Sequence, residues 1–114
     1  MSEADDTRTR RELAESAREY LARFIPSAEW LAGALRRDEA APGLIYDVSE
    51  GIAWLAKALT LTSAETGFAP DAAQAADIVR AIYYGVDNGD SGYIADALEY
   101  EAIPAARSWL DAIC

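Results

Sequence analysis

Residues 44–62 read LIYDVSEGIAWLAKALTLT, and this stretch contains the clearest helical pattern of the chain. Apolar or small side chains follow one another at spacings of 3, 4, 3, 4 and 3 residues, at Ile45, Val48, Ile52, Leu55, Leu59 and Thr62. This period matches the turn of an α-helix and places the six side chains on one face. The pattern predicts an amphipathic helix over residues 44–66. Gly67 follows it, and glycine is favoured just after a helix C-terminus.

Three further helical blocks surround this one, over residues 7–37, 71–87 and 91–113, with residues 1–6 expected as a disordered tail. Pro26 interrupts the first block, but the apolar stripe continues in phase through Leu31 and Leu35. Because proline lacks the backbone donor and clashes with the preceding turn, we expect a helix that is either kinked or split at Pro26. No alternating pattern is long enough for a strand. The connections are short, so neighbouring helices should run antiparallel. The predicted fold is all-α, a single antiparallel up-down four-helix bundle spanning residues 1–114.

Composition excludes several classes of function. The chain has 114 residues, a net charge of −10, no histidine and one cysteine, Cys114. A nucleic-acid binder needs an excess of Lys and Arg for phosphate contacts. Without histidine, neither His-dependent hydrolysis nor the common zinc and di-iron sites can form, and a single cysteine cannot form an internal disulfide. We therefore predict no catalytic residue, no metal, no cofactor and no nucleic-acid partner.

The hydropathy of the chain predicts a cytoplasmic protein without a membrane partner. The first twelve residues, MSEADDTRTRRE, are polar and lack the apolar core of a signal peptide. No apolar run approaches the roughly 20 residues that span a bilayer.

The negative charge is unevenly distributed along the chain. Residues 1–38 carry seven basic and eight acidic side chains, whereas residues 39–114 carry three basic and twelve acidic ones. The acidity therefore belongs to the last three helices, and the first helical block is rich in arginine. This asymmetry predicts that the first block docks on the others partly through charge.

Residues 87–92, DNGDSG, resemble part of a calcium-binding loop, but the ligand positions do not match. Gly89 stands at the third loop position and offers no side-chain oxygen. Leu98 stands at the twelfth, where a bidentate glutamate is required. The segment is therefore interpreted as a turn between helices, which agrees with the absence of a predicted metal site.

The chain contains three tryptophans and six tyrosines but only two phenylalanines. Trp30, Trp54 and Trp109 lie on or beside apolar stripes, so we expect all three in the core. Tyrosine combines an apolar ring with a polar tip and is favoured at interfaces. Tyr84 and Tyr100 are accordingly candidates for a partner-binding surface, since Tyr100 falls off the main stripe of its helix.

Part of the chain resembles a known family. Residues 44–47, LIYD, and 51–58, GIAWLAKA, resemble the "LYDG…FL..A" helix of the FliS-type flagellin export chaperones. Residues 90–113, an acidic turn and an amphipathic run that contains Trp109, are similar to the last helix of that family. The phrase IADALEYEAIP, residues 94–104, is closer to small helical domains related to those chaperones. Together the resemblance covers residues 42–113.

The resemblance implies an antiparallel four-helix bundle and a bacterial, cytoplasmic chaperone of the flagellum or of secretion. Such chaperones bind a disordered amphipathic tail of a secreted filament protein in apolar surface grooves, with coupled folding. It also adds Tyr46 to the candidate partner-binding residues.

Four hypotheses about function follow. The first is a non-enzymatic chaperone or adaptor, a monomer or homodimer, that binds an amphipathic or basic helix of a client protein. The alternative is an acidic immunity or inhibitor-type protein that neutralises a basic enzyme through a negative face. An enzyme based on carboxylates and a self-assembling structural bundle are the two others.

Overall fold

The structure, a computed structural model, describes residues 3–39 and 42–114. Its elements are α1 (Glu3–Arg36), α2 (Pro42–Leu61), α3 (Ser63–Thr66), α4 (Ala72–Asp87), α5 (Ser91–Ala97), a π-helical segment (Leu98–Ala102) and α6 (Ile103–Ile113). The described residues contain no strand. The all-α prediction is therefore confirmed.

The helix boundaries differ from the predictions at two places. α1 begins at Glu3, so residues 3–6 of the expected disordered tail are helical, and residues 1 and 2 lie outside the described part of the chain. The predicted helix over residues 44–66 is divided at Thr62, whose hydroxyl donates to the Ala58 carbonyl. Gly67 ends α3 in the left-handed conformation, with φ of 75°, as its position after the helix predicted.

α1 remains one helix through Pro26, so the prediction of two separate helices is wrong. A bend of its axis at that residue stays a prediction. Phe24, Ala28 and Leu31 on either side of the proline are all buried. Because this stripe stays in phase, its burial offsets the cost of an interior proline, about 3 kcal/mol.

Pro104 affects the last helical run differently. It lies in the first turn of α6, directly after the π-helical segment. Proline cannot donate to the carbonyl four residues before it. The neighbouring Ile103 N–H donates to the Leu98 carbonyl, five residues back, so the turn widens. The helical run thus continues from Ser91 to Ile113 without a break at Pro104.

Alanine dominates the core. Among the described residues, 30 hydrophobic side chains are buried, and 13 of them are alanines. The only buried aromatic residues in this set are Phe24 and Trp109. Small side chains allow helix axes to approach closely, but they leave little interior volume for large rings.

α1 is the longest element, and the other elements pack around it. It contacts α2, α5, the π segment and α6, while α4 packs between α2 and α5. Its 34 residues span about 51 Å at a rise of about 1.5 Å per residue. The molecule measures 50 × 22 × 22 Å, so α1 runs along its whole length.

Arginine side chains link α1 to later elements. Arg10 pairs with Glu65 at 2.8 Å, and Arg107 of α6 pairs with Glu29 of α1 at 2.9 Å. Arg36 binds both oxygens of Glu99 at 2.9 and 2.8 Å and Asp96 at 2.9 Å. We call this last arrangement the Arg36 clamp. These contacts agree with the predicted charge docking of the first block.

The Arg36 clamp predicts a loss of stability in acid. The hydrogen bond from Arg36 lowers the pKa of Glu99 in the folded chain. The ionised carboxylate therefore stabilises the fold above the ordinary glutamate pKa of about 4.3, and this contribution is lost as the pH falls through the lowered folded-state value. Glu99→Gln should reduce the free energy of unfolding at neutral pH and converge with the wild type in acid. Urea unfolding across this pH range measures the difference.

The matched control is Glu101→Gln, because Glu101 takes part in no ion pair within the described residues. This variant should follow the wild type at every pH. A gap between wild type and Glu99→Gln that stays constant from neutral to acid pH would contradict the prediction.

Candidate partner-binding groove

A groove runs between α1 and α2, along residues 20–30 of the first helix and 44–54 of the second. It consists of three depressions of about 400, 300 and 280 Å³. The first and second share Tyr20 and Asp47 as lining residues, and the second and third share Ser27 and Leu44. The three are therefore continuous, and we call this surface the α1–α2 groove.

Two tryptophans stand at the ends of the groove. Trp54 lines the first depression and is 39% exposed, and Trp30 lines the third and is 58% exposed. The expectation that both lie in the core is therefore wrong, whereas Trp109 is buried as predicted. Each residue lies at the edge of an apolar stripe, and its ring is not fully covered by the neighbouring helix.

Gly51 allows Tyr20 to form the floor of the first depression. A Cβ atom at residue 51 would overlap the Tyr20 hydroxyl oxygen and lie 3.2 Å from its Cζ. The Tyr20 ring consequently rests against the α2 backbone and meets the edge of the Trp54 ring, with centroids 5.4 Å apart. Edge-to-face geometry of this kind is favourable for aromatic pairs.

Charged side chains line the rims of the groove. Asp47 and Glu50 stand on the α2 side and Arg23 on the α1 side. Burial of the ring and the nearby Asp47 carboxylate raise the pKa of Tyr20, while Arg23 opposes the shift. The Tyr20 hydroxyl therefore stays protonated at neutral pH and is available as a hydrogen-bond donor to an occupant.

The three tyrosines predicted from the sequence lie on three different elements, α2, α4 and the π segment. The Tyr46 ring lies 5.8 Å from the Tyr83 ring between α2 and α4, and the Tyr84 ring lies 5.1 Å from the Tyr93 ring beside α5. Tyr100, in the π segment, is 73% exposed, as its position off the stripe predicted. Their roles in binding stay predictions, and none of the three lines the α1–α2 groove.

A second concavity, the α4–α6 cleft, measures about 470 Å³. Asp71, Asp77, Tyr100 and Glu101 line its mouth, and Trp109 lies among its lining residues. Asp71 accepts hydrogen bonds from the Ala73 and Gln74 N–H groups, so its charge caps α4. Glu101 forms no ion pair within residues 3–39 and 42–114.

Two further observations concern the described residues alone. They contain no group of three or more His, Cys, Asp or Glu side chains placed to hold a metal ion. None of their helices is long and apolar enough to cross a membrane.

A protein-family model described as "Domain of unknown function (DUF8042)" matches residues 12–112. The match covers most of the chain, so the chain belongs to that family. Comparisons with curated proteins and with solved structures find no match.

Glycine-to-alanine substitutions test the two places, Gly51 and Gly85, where a glycine allows a neighbouring helix or side chain to approach closely. At residue 85 a Cβ would overlap Ile94 Cγ1 and lie 3.3 Å from the Ile94 backbone nitrogen, so Gly85→Ala should destabilise the fold by about 1–3 kcal/mol. In Gly51→Ala the obstacle is the end of the Tyr20 side chain, which can rotate away. Its stability should remain within about 1 kcal/mol of wild type, while the near-UV circular dichroism of the Tyr20–Trp54 pair changes.

Gly43→Ala is the reference variant, because a Cβ at residue 43 would meet nothing within 4 Å. Thermal unfolding and near-UV spectra of the three variants make the comparison. If Gly51→Ala loses as much stability as Gly85→Ala and keeps the wild-type near-UV spectrum, the described contact between Tyr20 and α2 is wrong.

Proposed function

We propose that this member of the DUF8042 family is a non-enzymatic protein-binding domain that holds an amphipathic helical segment of a client protein in the α1–α2 groove. One observation carries the proposal: three continuous depressions lie along the groove, and exposed Trp30 and Trp54 bound them. An amphipathic helix recognised in a groove uses anchors at positions i, i+3 or i+4, and i+7.

The dimensions of the groove suit such an occupant. From Tyr20 to Trp30 the α1 backbone advances by about 15 Å, at about 1.5 Å per residue. The three depressions follow one another along this length, which is close to three turns of a helix at about 5.4 Å per turn. One apolar side chain from each successive turn of a client helix would therefore enter one depression.

The energetics favour the tryptophans as the main contacts. Interface energy is concentrated in a few residues, and tryptophan is enriched among them, with truncation costs of about 2 kcal/mol or more. The groove is formed by two long helices that also bury apolar faces in the core, so most of the cost of ordering falls on the client segment. Such a distribution of the ordering cost is typical of a folded domain that binds a disordered tail.

We further propose that α1, α2, α4 and the α5–α6 run form an antiparallel up-down four-helix bundle. The contacts of α1 with α2, of α2 with α4, of α4 with α5, and of α5 and α6 with α1 support this arrangement. In such a bundle the α1–α2 groove lies on the side opposite the α4–α6 cleft.

The resemblance to FliS-type chaperones supports the class of function. We accordingly propose that the domain acts in the bacterial cytoplasm and that its client is a secreted or flagellar filament protein. The proposed state of the domain is a monomer or a homodimer that binds without catalysing a reaction.

A peptide library tests the groove. The library consists of helical peptides of about four turns with varied apolar residues at positions i, i+4 and i+7 and alanine or glutamine elsewhere. The full chain should retain members of this library and should not retain versions with the anchors scrambled. Trp30→Ala and Trp54→Ala should each reduce the binding free energy of the selected peptide by about 2 kcal/mol, because each removes an exposed anchor contact. Titration calorimetry measures this change.

Tyr100→Ala is the matched control, since it truncates a more exposed aromatic residue outside the groove. It should bind the selected peptide as wild type does. The proposed function is wrong if no library member binds, or if Trp30→Ala, Trp54→Ala and Tyr100→Ala all bind equally well.

A second candidate function is favoured by the α4–α6 cleft. Its mouth carries Asp77, Glu101 and the exposed Tyr100, which together fit a basic partner such as the enzyme of an immunity or inhibitor pair. Aromatic faces attract arginine, and an acidic surface accelerates association with a basic partner.

This candidate predicts salt-dependent binding of a basic probe. An arginine-rich peptide should bind the full chain at low salt and should lose at least about tenfold in affinity at physiological salt. Tyr100→Ala and Glu101→Gln should weaken binding, whereas Trp54→Ala should not. Equal affinity at both salt concentrations would exclude the acidic-inhibitor function.

A further inference from the structure

We infer that the client helix carries a lysine or arginine on the flank that faces α2, where it pairs with Asp47 and Glu50. This inference rests on the proposed function, because it specifies the chemistry of the segment that the α1–α2 groove accepts. It adds a charge requirement to the apolar anchors.

Asp47 and Glu50 lie where they would face the flanking side chains of a helix bound in the groove. Asp47 is shared by the first and second depressions, and Glu50 lines the first. They are three residues apart on α2, so both project from the same side of the helix. Both residues are exposed. A client helix in the groove would bring its flanking side chains directly over them.

The two carboxylates are not neutralised by any ion pair in the part of the chain that the structure describes. Other acids of the domain are paired, including Glu29, Glu65, Asp96 and Glu99. Neither Asp47 nor Glu50 forms an ion pair with any residue in the ranges 3–39 and 42–114. An occupant with an apolar or acidic flank would leave these charges partly desolvated without compensation, which costs binding free energy.

The influence of Asp47 extends into the groove itself. Its carboxylate acts on the Tyr20 hydroxyl, together with burial, to raise the pKa of that group. Arg23 on the opposite rim has the reverse influence. The groove thus has an acidic α2 rim and a basic α1 rim, and this polarity distinguishes the two flanks of a bound helix.

The test uses two peptides with identical leucine anchors at positions i, i+4 and i+7, one with lysine and one with glutamate at the flanking positions. At low salt the lysine peptide should bind the full chain about five- to tenfold more tightly than the glutamate peptide, because each exposed pair contributes modestly. Asp47→Lys/Glu50→Lys should reverse this preference. Asp47→Asn/Glu50→Gln should abolish it, and serves as a second variant that introduces no new charge.

The control is Asp87→Lys/Asp111→Lys, which changes the net charge by the same amount at two exposed residues outside the groove. It should retain the preference for the lysine peptide. If it loses the preference as the groove variant does, overall charge rather than the α2 rim selects the peptide, and the inference is overturned.

The remaining outcomes separate the inference from the proposed function. Equal, tight binding of both peptides by wild type would overturn the charge requirement and leave helix binding in the groove standing. If neither peptide binds more tightly than a scrambled version, the proposed function fails, and the inference fails with it. Near-UV circular dichroism of each variant shows that the fold is intact before binding is compared.

Discussion

The use of alanine in the interior is the constraint on which the rest of the structure depends. The chain contains 25 alanines, and 13 of them are buried among the residues that the structure describes. Small side chains bring helices close together, and at Gly51 the approach leaves no room even for a Cβ atom beside Tyr20. Such an interior is narrow and cannot enclose many large rings. Among the other aromatic residues, Tyr20 and Phe68 are partly buried against the core, and the exposed ones are Trp30, Tyr46, Trp54, Tyr84, Tyr93 and Tyr100.

A second consequence of a core rich in alanine is that the positions of the helices depend on polar contacts as well as on the burial of apolar side chains. Exposed ion pairs contribute little individually, but the Arg36 clamp is bidentate and joins the end of α1 to α5 and the π segment. The clamp lies directly before the stretch in which Pro104 removes a backbone donor. Arg36 thus binds Glu99 within the widened turn, next to the exposed Tyr100.

Helix existence and approximate bounds could be predicted from the sequence because apolar spacing is a local property. The exposure of Tyr100 was predictable for the same reason, since it falls off the stripe of its own helix. The exposure of Trp30 and Trp54 was not, because a residue at the edge of a stripe is covered only if the facing helix offers enough volume. That volume depends on the residues of another helix, which no single-helix pattern includes. The continuity of α1 through Pro26 was likewise decided by burial on both sides of the proline.

The tyrosines chosen from the sequence are solvent-accessible. The groove, however, is formed by two helices together, so its position could not be predicted from the pattern of either helix alone.

The two concave surfaces of the molecule differ in a way that follows from its charge distribution. The arginine-rich first block contributes Arg23 to the α1–α2 groove, so that groove has one basic and one acidic rim, whereas the charged side chains that line the α4–α6 cleft are all acids. Burial of apolar surface supplies most of the affinity of a helix in a groove, and charge at the rim selects among helices of similar apolar content. The aromatic residues of the α4–α6 cleft are the buried Trp109 and the exposed Tyr100, so binding there would depend more on charge, which salt screens. Under the proposed function, the α1–α2 groove with its exposed Trp30 and Trp54 is the surface better suited to hold a client helix at physiological ionic strength, and its acidic α2 rim is the part that would distinguish one client helix from another.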